Sequence, residues 1–181
     1  MAISFSRLLD SRQAAYLIAT VAPLDAATAD GVRIYRRSLT FLLETAFSSL
    51  FSQAVLIIDH SISSGGFYCH VNGRPPLDTE ELKLLETEMH RLVGLDQPFL
   101  RREIPVAEAI DYFQKENYPD KVSLLRHRHK DYVTLYSLGE HLDYHHGYMV
   151  PSTGYLKWFD LNPTNGGFTL HSPRKHAPTQ L

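Results

Sequence analysis

Apolar positions follow helical spacing along one long stretch of the chain. From Val32 to about Ser52, apolar side chains recur every three or four residues, as on one face of a helix. These positions are Tyr35, Leu39, Leu42, Leu43, Ala46 and Leu50. Further apolar residues lie on the other sides, and a helix that is apolar over most of its circumference is usually buried. The pattern predicts a long central helix with sheet around it.

Two more helices are predicted from their start signals. Asp78 and Thr79 precede an apolar stripe, and Gly94 ends it. Pro105 is placed to open another helix from a first-turn position. The segment Lys121–Leu125 is predicted as a short helix or strand.

Short β-favouring runs bounded by turn residues predict the strands. These runs are Ala54–Ile58, Phe67–Val71, Phe99–Ile104, Val133–Ser137, Tyr155–Leu161 and Phe168–Leu170. Helices and strands follow one another in mixed order, without a regular strand–helix–strand repeat. The sequence therefore predicts the α+β class with a largely antiparallel sheet wrapped around the central helix.

The two ends of the chain are weakly patterned. Residues from Met1 to Asp30 predict a short helix, a strand through Ala15–Val21 and a linker rich in Ala, Asp and Thr. The last ten residues, SPRKHAPTQL, carry two prolines and little apolar content, which predicts a frayed tail or linker.

Composition excludes a few classes of protein. The 181 residues carry a net charge of −2, so any binding to nucleic acid or to an anionic membrane would need a local patch. The single cysteine, Cys69, allows no internal disulfide, which suits a reducing cytoplasm. No apolar run is long enough to span a bilayer. We expect a cytoplasmic protein without a membrane partner.

Common catalytic motifs are missing from the sequence. No GxxxxGK[ST] phosphate loop occurs, and no glycine precedes a lysine. No GxSxG elbow or HExxH pair occurs either.

Polar side chains that could bind a metal or transfer protons are concentrated between Gly139 and Gly154. His141, His145 and His146, with Asp143, would offer four metal ligands. The flanking glycines make a helix unfavourable here, and adjacent residues of an extended chain point to opposite sides. Polar histidines beside a pocket are therefore favoured over a bound metal, and we expect no metal and no cofactor in this chain.

Asp143 lies between the apolar Leu142 and Tyr144 and is the better candidate for a working acid or an anchor. A partly buried carboxylate needs a partner, which Lys121 or Arg37 would supply. A purely structural salt bridge explains the pattern equally well.

A basic run covers Arg126–Lys130, and Arg101-Arg102 and Arg36-Arg37 add further pairs. Such residues are candidates for contact with nucleic-acid phosphates. Without clustered aromatic residues, a solvated loop is the favoured interpretation.

The order of several motifs resembles the editing region of threonyl-tRNA synthetase, which alanyl-tRNA synthetase relatives share. RRSLTFLL at residues 36–43 matches the RHSxxHLL-type helix, and GGFY at 65–68 matches a GFYY strand. Matches continue through the helix that starts near Thr79, an "EA…F" helix at Glu108 and Lys121-Val122. DYHHGYMVPSTG at 143–154 matches "DLCRGPHVPSTG". The resemblance implies a synthetase-editing-like domain over residues 31–171.

The reactive cluster of that family is altered in this chain. Two helix histidines, a cysteine and a third histidine are replaced by Arg37, Phe41, His145 and Met149, whereas Lys121 and Asp143 persist. Ester hydrolysis needs an activated water and groups that shuttle protons. The resemblance thus implies a degenerate, non-catalytic pocket. Its ligand-binding residues would be Arg37, Phe41, Lys121, Asp143, Tyr144, His145 and Met149.

This variant of the motifs also resembles the region in front of the P-loop kinase domain of uridine kinase-like proteins. Residues 1–30 would then be a degenerate N-terminal segment or linker. Residues 172–181 would lead to a missing C-terminal domain, which would bind ATP and carry the nucleoside kinase activity.

The leading hypothesis is a non-catalytic ligand-binding or regulatory module of such a protein. The expected partners are its own kinase domain and a small ligand: a nucleotide, an amino acid or a tRNA 3′ end. One alternative is a hydrolase that deacylates aminoacyl-tRNA or a related ester with Lys121, Asp143 and His145. Another is a structural module for docking or dimerisation, and a homo-oligomer is compatible with each of the three.

Overall fold

The computed structural model describes residues 28–63, 65–116 and 118–173. These residues form four α-helices, seven strands and one 3-10 turn. In chain order they are α1 (Ala29–Leu50), β1 (Val55–Ser61), β2 (Gly66–Asn72), α2 (Thr79–Gly94), β3 (Leu100–Pro105), α3 (Val106–Lys115), α4 (Pro119–Arg126), β4 (Tyr132–Leu138), β5 (His141–Tyr144), the 3-10 turn (Thr153–Tyr155), β6 (Asp160–Thr164) and β7 (Gly167–His171). They fall into two compact units: unit 2 is Pro98–Tyr148, and unit 1 holds the described residues up to Gln97 and from Met149 on.

Helix α1 is the predicted long helix of unit 1. The Thr28 hydroxyl caps its start by accepting a hydrogen bond from the Gly31 N–H at 3.0 Å. The helix closes where the Phe51 N–H donates to the Phe47 carbonyl at 2.8 Å. Its apolar side chains are buried, and it packs against α2 and β1. The predicted helix from Val32 to about Ser52 is confirmed to within a turn.

Sheet A of unit 1 has the strand order β1-β2-β7-β6, and every pairing is antiparallel. Cys69 and Phe168 face each other in this sheet, and both are buried. Gly66 has a φ of +133°, and a Cβ built on it would lie 2.0 Å from the carbonyl oxygen of Leu170. Only glycine permits β2 and β7 to approach so closely at this point.

Helix α2 has the predicted bounds and a complete capping box. The Asp78 carboxylate accepts from the Glu81 N–H at 2.9 Å, and the Glu81 carboxylate accepts from the Asp78 N–H at 3.2 Å. Its buried stripe consists of Leu82, Leu85, Met89 and Leu92. The helix is followed by Asp96 with a φ of +49°, the one non-glycine residue with positive φ in the described ranges.

Unit 2 contains sheet B, with the order β3-β4-β5, and the helices α3 and α4. The core of this unit is formed by Ala109, Phe113, Val122, Leu125, Val133 and Leu135. Lys121–Leu125, which the sequence left open between helix and strand, lies in helix α4. Pro105 is the last residue of β3 and the N-cap of α3, one position before the helix it was predicted to open.

The α+β class with antiparallel strands is confirmed, and two local predictions need correction. The strands form two sheets rather than one, because β3, β4 and β5 pair only with one another. The sequence did not predict β5. The strand predicted at Tyr155–Leu161 begins only at Asp160. The Trp158 backbone instead engages the Tyr35 hydroxyl, which accepts from the Trp158 N–H and donates to its carbonyl, both at 2.8 Å.

The helix and the Ala15–Val21 strand predicted near the N-terminus lie outside the described residues, as does the tail from residue 174 on. The domain bounds 1–30, 31–171 and 172–181 therefore stay predictions. No helix among the described residues combines the length and the apolar character needed to cross a membrane.

Candidate functional site

An ion pair joins the two predicted site residues Lys121 and Asp143 in unit 2. The Lys121 Nζ lies 2.6 Å from Oδ2 of Asp143. The side chains are 24% and 11% exposed, respectively, so the pair is largely shielded and still reachable from solvent. Asp143 was expected to need Lys121 or Arg37, and the structure shows Lys121 as its partner.

Aromatic rings flank the Lys121 ammonium. Its Nζ lies 4.4 Å from the centroid of the Tyr118 ring and 5.2 Å from that of the buried Phe113 ring. Both distances are within the range of a cation–π interaction. Sequence reasoning missed Tyr118, because its proximity to Lys121 depends on the first turn of α4.

The second oxygen of Asp143 is also engaged. Its Oδ1 accepts from the Tyr144 backbone N–H at 2.7 Å. The pKa of the Tyr144 phenol is raised, first by burial and then by the Asp143 charge, while Lys121 and Arg128 act in the opposite direction. The Tyr144 ring packs on Phe113 in a T-shaped arrangement, with 6.1 Å between the centroids.

Strand β5 arranges the histidines of the predicted site. His141 and Asp143 are two residues apart in this strand and therefore project from the same face, with Leu142 and Tyr144 on the other. The half-buried His145 follows the strand, and its N–H donates to the Thr134 carbonyl at 3.3 Å. His146 is exposed, with its ring centroid 6.2 Å from that of Tyr144. The predicted absence of a metal and of a cofactor stays a prediction.

The other predicted ligand-binding residues belong to unit 1. Arg37 lies half-buried on α1, and Phe41, one turn further along, is 0% exposed. Met149 is 3% exposed. Their proposed part in a ligand pocket remains a prediction from the altered motif.

The VPSTG segment of the matched motif holds backbone rather than presenting reactive groups. The Thr153 hydroxyl donates to the Leu92 carbonyl at 2.7 Å and accepts from the Gln97 N–H at 2.9 Å. The Asp96 carboxylate accepts from the Gly154 N–H at 3.1 Å and from the Ser152 hydroxyl. These contacts fasten the segment to the loop after α2.

The basic run lies at the end of α4 and in the connection to β4. Arg126, His129 and Lys130 are exposed, whereas the Arg128 Nε donates to the Tyr132 carbonyl at 3.1 Å. This exposure fits the predicted solvated loop.

The arrangement has clear chemical limits. A lysine ammonium and a carboxylate that neutralise each other offer hydrogen-bond donors and acceptors to a polar ligand. The rings of Tyr118 and Phe113 cover part of the Lys121 ammonium and so limit the directions from which a ligand can approach it. Fold and site together define an α+β domain with a shielded Lys–Asp pair beside aromatic rings.

The chain is similar to part of several threonine–tRNA ligases. It is 32% identical over 149 residues to that of Nitratidesulfovibrio vulgaris (strain DP4), covering 82% of this chain and 23% of the ligase. It is 34% identical over 153 residues to that of Enterococcus faecalis (84% and 23%). It is 33% identical over 163 residues to that of Methylococcus capsulatus (90% and 25%). The chain thus spans about a quarter of the length of these relatives, and no protein-family model matches it.

Proposed function

We propose that this chain is a non-catalytic ligand-binding or regulatory module built on a degenerate aminoacyl-tRNA editing pocket. The observation that carries the proposal is the engagement of both Asp143 oxygens, Oδ2 by Lys121 and Oδ1 by the Tyr144 N–H. A residue that acts as a general base must exchange protons with a substrate or a water during turnover. A carboxylate held from two sides is better suited to orienting a hydroxyl or an amino group.

The altered motif supports the same proposal. The side chains of Phe41 and Met149 have no proton to transfer, in contrast to the histidines at these positions in the synthetase editing region that the chain resembles. Arg37 carries a permanent charge and is suited to binding a carboxylate or a phosphate. The proposed ligand is a small molecule that carries such an anion: a nucleotide, an amino acid or a tRNA 3′ end.

Similarity to threonine–tRNA ligases supports including tRNA among the candidate ligands. We further propose that the module belongs to a uridine kinase-like protein of the cytoplasm. It would regulate an adjoining P-loop kinase domain in that protein. A GxxxxGK[ST] motif in the reading frame after Leu181 would support this context, and a reading frame without one would contradict it.

Calorimetric titration of the 181-residue chain tests the proposed binding. The panel contains nucleoside mono- and triphosphates, a non-hydrolysable aminoacyl-adenylate analogue, and uncharged tRNA. At least one ligand should bind the parent chain and lose affinity roughly tenfold or more in Asp143→Asn, because a neutral amide oxygen accepts the ligand's hydroxyl or amino group more weakly than a carboxylate does. Asp120→Asn is the matched control, since it makes the same change at an exposed position of α4. If no ligand of the panel binds the parent chain, the proposal is wrong.

A hydrolase is the second candidate, favoured by the position of His145 directly after the strand that carries Asp143. Deacylation of seryl- and threonyl-tRNA separates the two candidates. Turnover that disappears in Asp143→Ala and in His145→Ala would replace the binding proposal with this one.

A further inference from the structure

Tyr118 is the ring nearest to the Lys121 ammonium, at 4.4 Å from Nζ. We infer that Tyr118 is a positioning residue, whose ring holds the Lys121 ammonium against Asp143 so that its remaining N–H donors meet an anionic ligand in one orientation. This inference rests on the proposed ligand-binding function and adds the residue that orients the cation.

Tyr118 is itself fixed in place. It occupies the N-cap position of α4, and its N–H donates to the Phe113 carbonyl at 2.9 Å. Its ring meets that of the fully buried Phe113 edge-on, with 6.2 Å between the centroids. One side of the ring is thus tied to the core of unit 2, although 41% of the residue remains exposed.

The position of Lys121 in α4 explains why such support is needed. Lys121 is the third residue of the helix, close to the positive end of the helix dipole. A cation is disfavoured at this end of a helix. The flexible four-carbon stem of lysine allows the ammonium to move away from it. The Asp143 carboxylate and the rings of Tyr118 and Phe113 offset this tendency.

The support also defines what the site can recognise. A lysine ammonium has three N–H donors, of which Asp143 Oδ2 accepts one. Ring faces attract the charge without acting as ordinary hydrogen-bond acceptors. The remaining donors are left for oxygens of a phosphate or a carboxylate.

The test compares Tyr118→Leu with Tyr118→Phe in the full chain and does not require a ligand. The first readout is the rate at which an N-hydroxysuccinimide ester acetylates Lys121, followed by mass spectrometry with the exposed Lys115 as internal reference. The rate should rise about threefold or more in Tyr118→Leu, because the cation–π contact is lost, and stay near the parent value in Tyr118→Phe, which keeps the ring. The second readout is the NMR shift of the Lys121 ε-methylene protons, which the rings should move upfield in the parent and in Tyr118→Phe.

Equal reactivity in the parent and Tyr118→Leu would overturn the inference, as would a Tyr118→Phe variant as reactive as Tyr118→Leu. If Tyr118→Leu does not fold, the NMR spectrum of the parent chain tests the contact between Tyr118 and Lys121. Lys121 ε-methylene protons without an upfield shift would refute that contact. Titration with the panel ligand then separates the two proposals. Altered Lys121 reactivity with no ligand bound by any variant supports the contact between Tyr118 and Lys121. It overturns the binding function and, with it, the orientation of a ligand by Lys121.

Discussion

The Ser38 hydroxyl and the Val150 N–H form a buried hydrogen bond of 2.8 Å between residues 112 positions apart. The same hydroxyl donates to the Ile34 carbonyl within α1 at 2.8 Å. Both residues lie within unit 1, so one side chain ties the long helix to the beginning of the VPSTG segment. The serine of the RRS motif and the valine of the VPSTG motif are thus parts of one structural contact.

Ser38→Ala should lower the free energy of unfolding by about 1–3 kcal/mol, because the buried Val150 N–H would lose its acceptor. Urea unfolding monitored by circular dichroism measures the loss. Ser48→Ala is the control on the same helix, since Ser48 is exposed and donates to the Thr45 carbonyl of its own helix. Equal effects of the two substitutions would show that the contact with Val150 adds nothing to stability.

Gly66→Ala should destabilise the chain by at least about 2 kcal/mol, since overpacking and backbone strain add. The new methyl group would lie 2.0 Å from the Leu170 carbonyl oxygen, so β2 and β7 would have to separate. Gly94→Ala places a methyl group where nothing lies within 4 Å, and it should leave stability unchanged or slightly raised. Thermal unfolding of both variants is the measurement, and a Gly66→Ala chain as stable as the parent would contradict the close approach of the two strands.

The Lys121–Asp143 pair should show energetic coupling in a double-mutant cycle. Lys121→Met and Asp143→Asn each leave a shielded charge unmatched, so the double variant should lose less stability than the sum, by roughly 1–3 kcal/mol. The exposed Lys83–Glu80 pair of α2 provides the comparison, and its coupling should not exceed about 0.5 kcal/mol. Unfolding midpoints and slopes in urea give both values. Additive losses at Lys121 and Asp143 would mean that their contact does not contribute to folding.

Stability should fall at alkaline pH because of Cys69. Burial raises the pKa of its thiol from 9.0 to about 12, and the Glu44 charge adds to this, while a backbone hydrogen bond to Leu170 opposes it. Between these values the unfolded thiol is ionised and the folded one is protonated, so the unfolded state binds fewer protons. The free energy of unfolding should therefore fall as pH rises through this window, with a slope approaching ~1.4 kcal/mol per pH unit.

Cys69→Ala removes this contribution and serves as the control. The difference in unfolding free energy between the parent and Cys69→Ala should shrink steadily above pH 9.0. A difference that stays constant up to about pH 11 would show that the folded thiol ionises as readily as the unfolded one.

Local signals were sufficient for the helices of unit 1. The apolar periodicity of α1 and the Asp78 cap of α2 act within a few residues, and both helices have the predicted positions. Strand β5 was missed because it has only four residues, in which two polar residues alternate with Leu142 and Tyr144. Its place in sheet B depends on pairing with β4, which no local pattern encodes.

Long-range contacts account for the other differences. The strand predicted at Tyr155–Leu161 has the right composition, yet its backbone bonds to the side chain of Tyr35, more than 120 positions earlier. The Lys121–Asp143 pair could be predicted because only Lys121 and Arg37 were candidate partners of Asp143 and because the motifs around Lys121 and Asp143 were recognisable. The ring of Tyr118 belonged to no motif, and its contact with Lys121 appears only once α4 is formed.

The fastening of residues 150–154 to Asp96 has a consequence for judging distant relatives. A stretch that anchors main-chain atoms contributes to folding whether or not the protein catalyses a reaction. Its presence in a new genome would therefore establish shared architecture and leave turnover an open question. Lineages are better sorted by positions 37 and 145, whose side chains are only half-buried, because packing constrains the buried positions 41 and 149 as well.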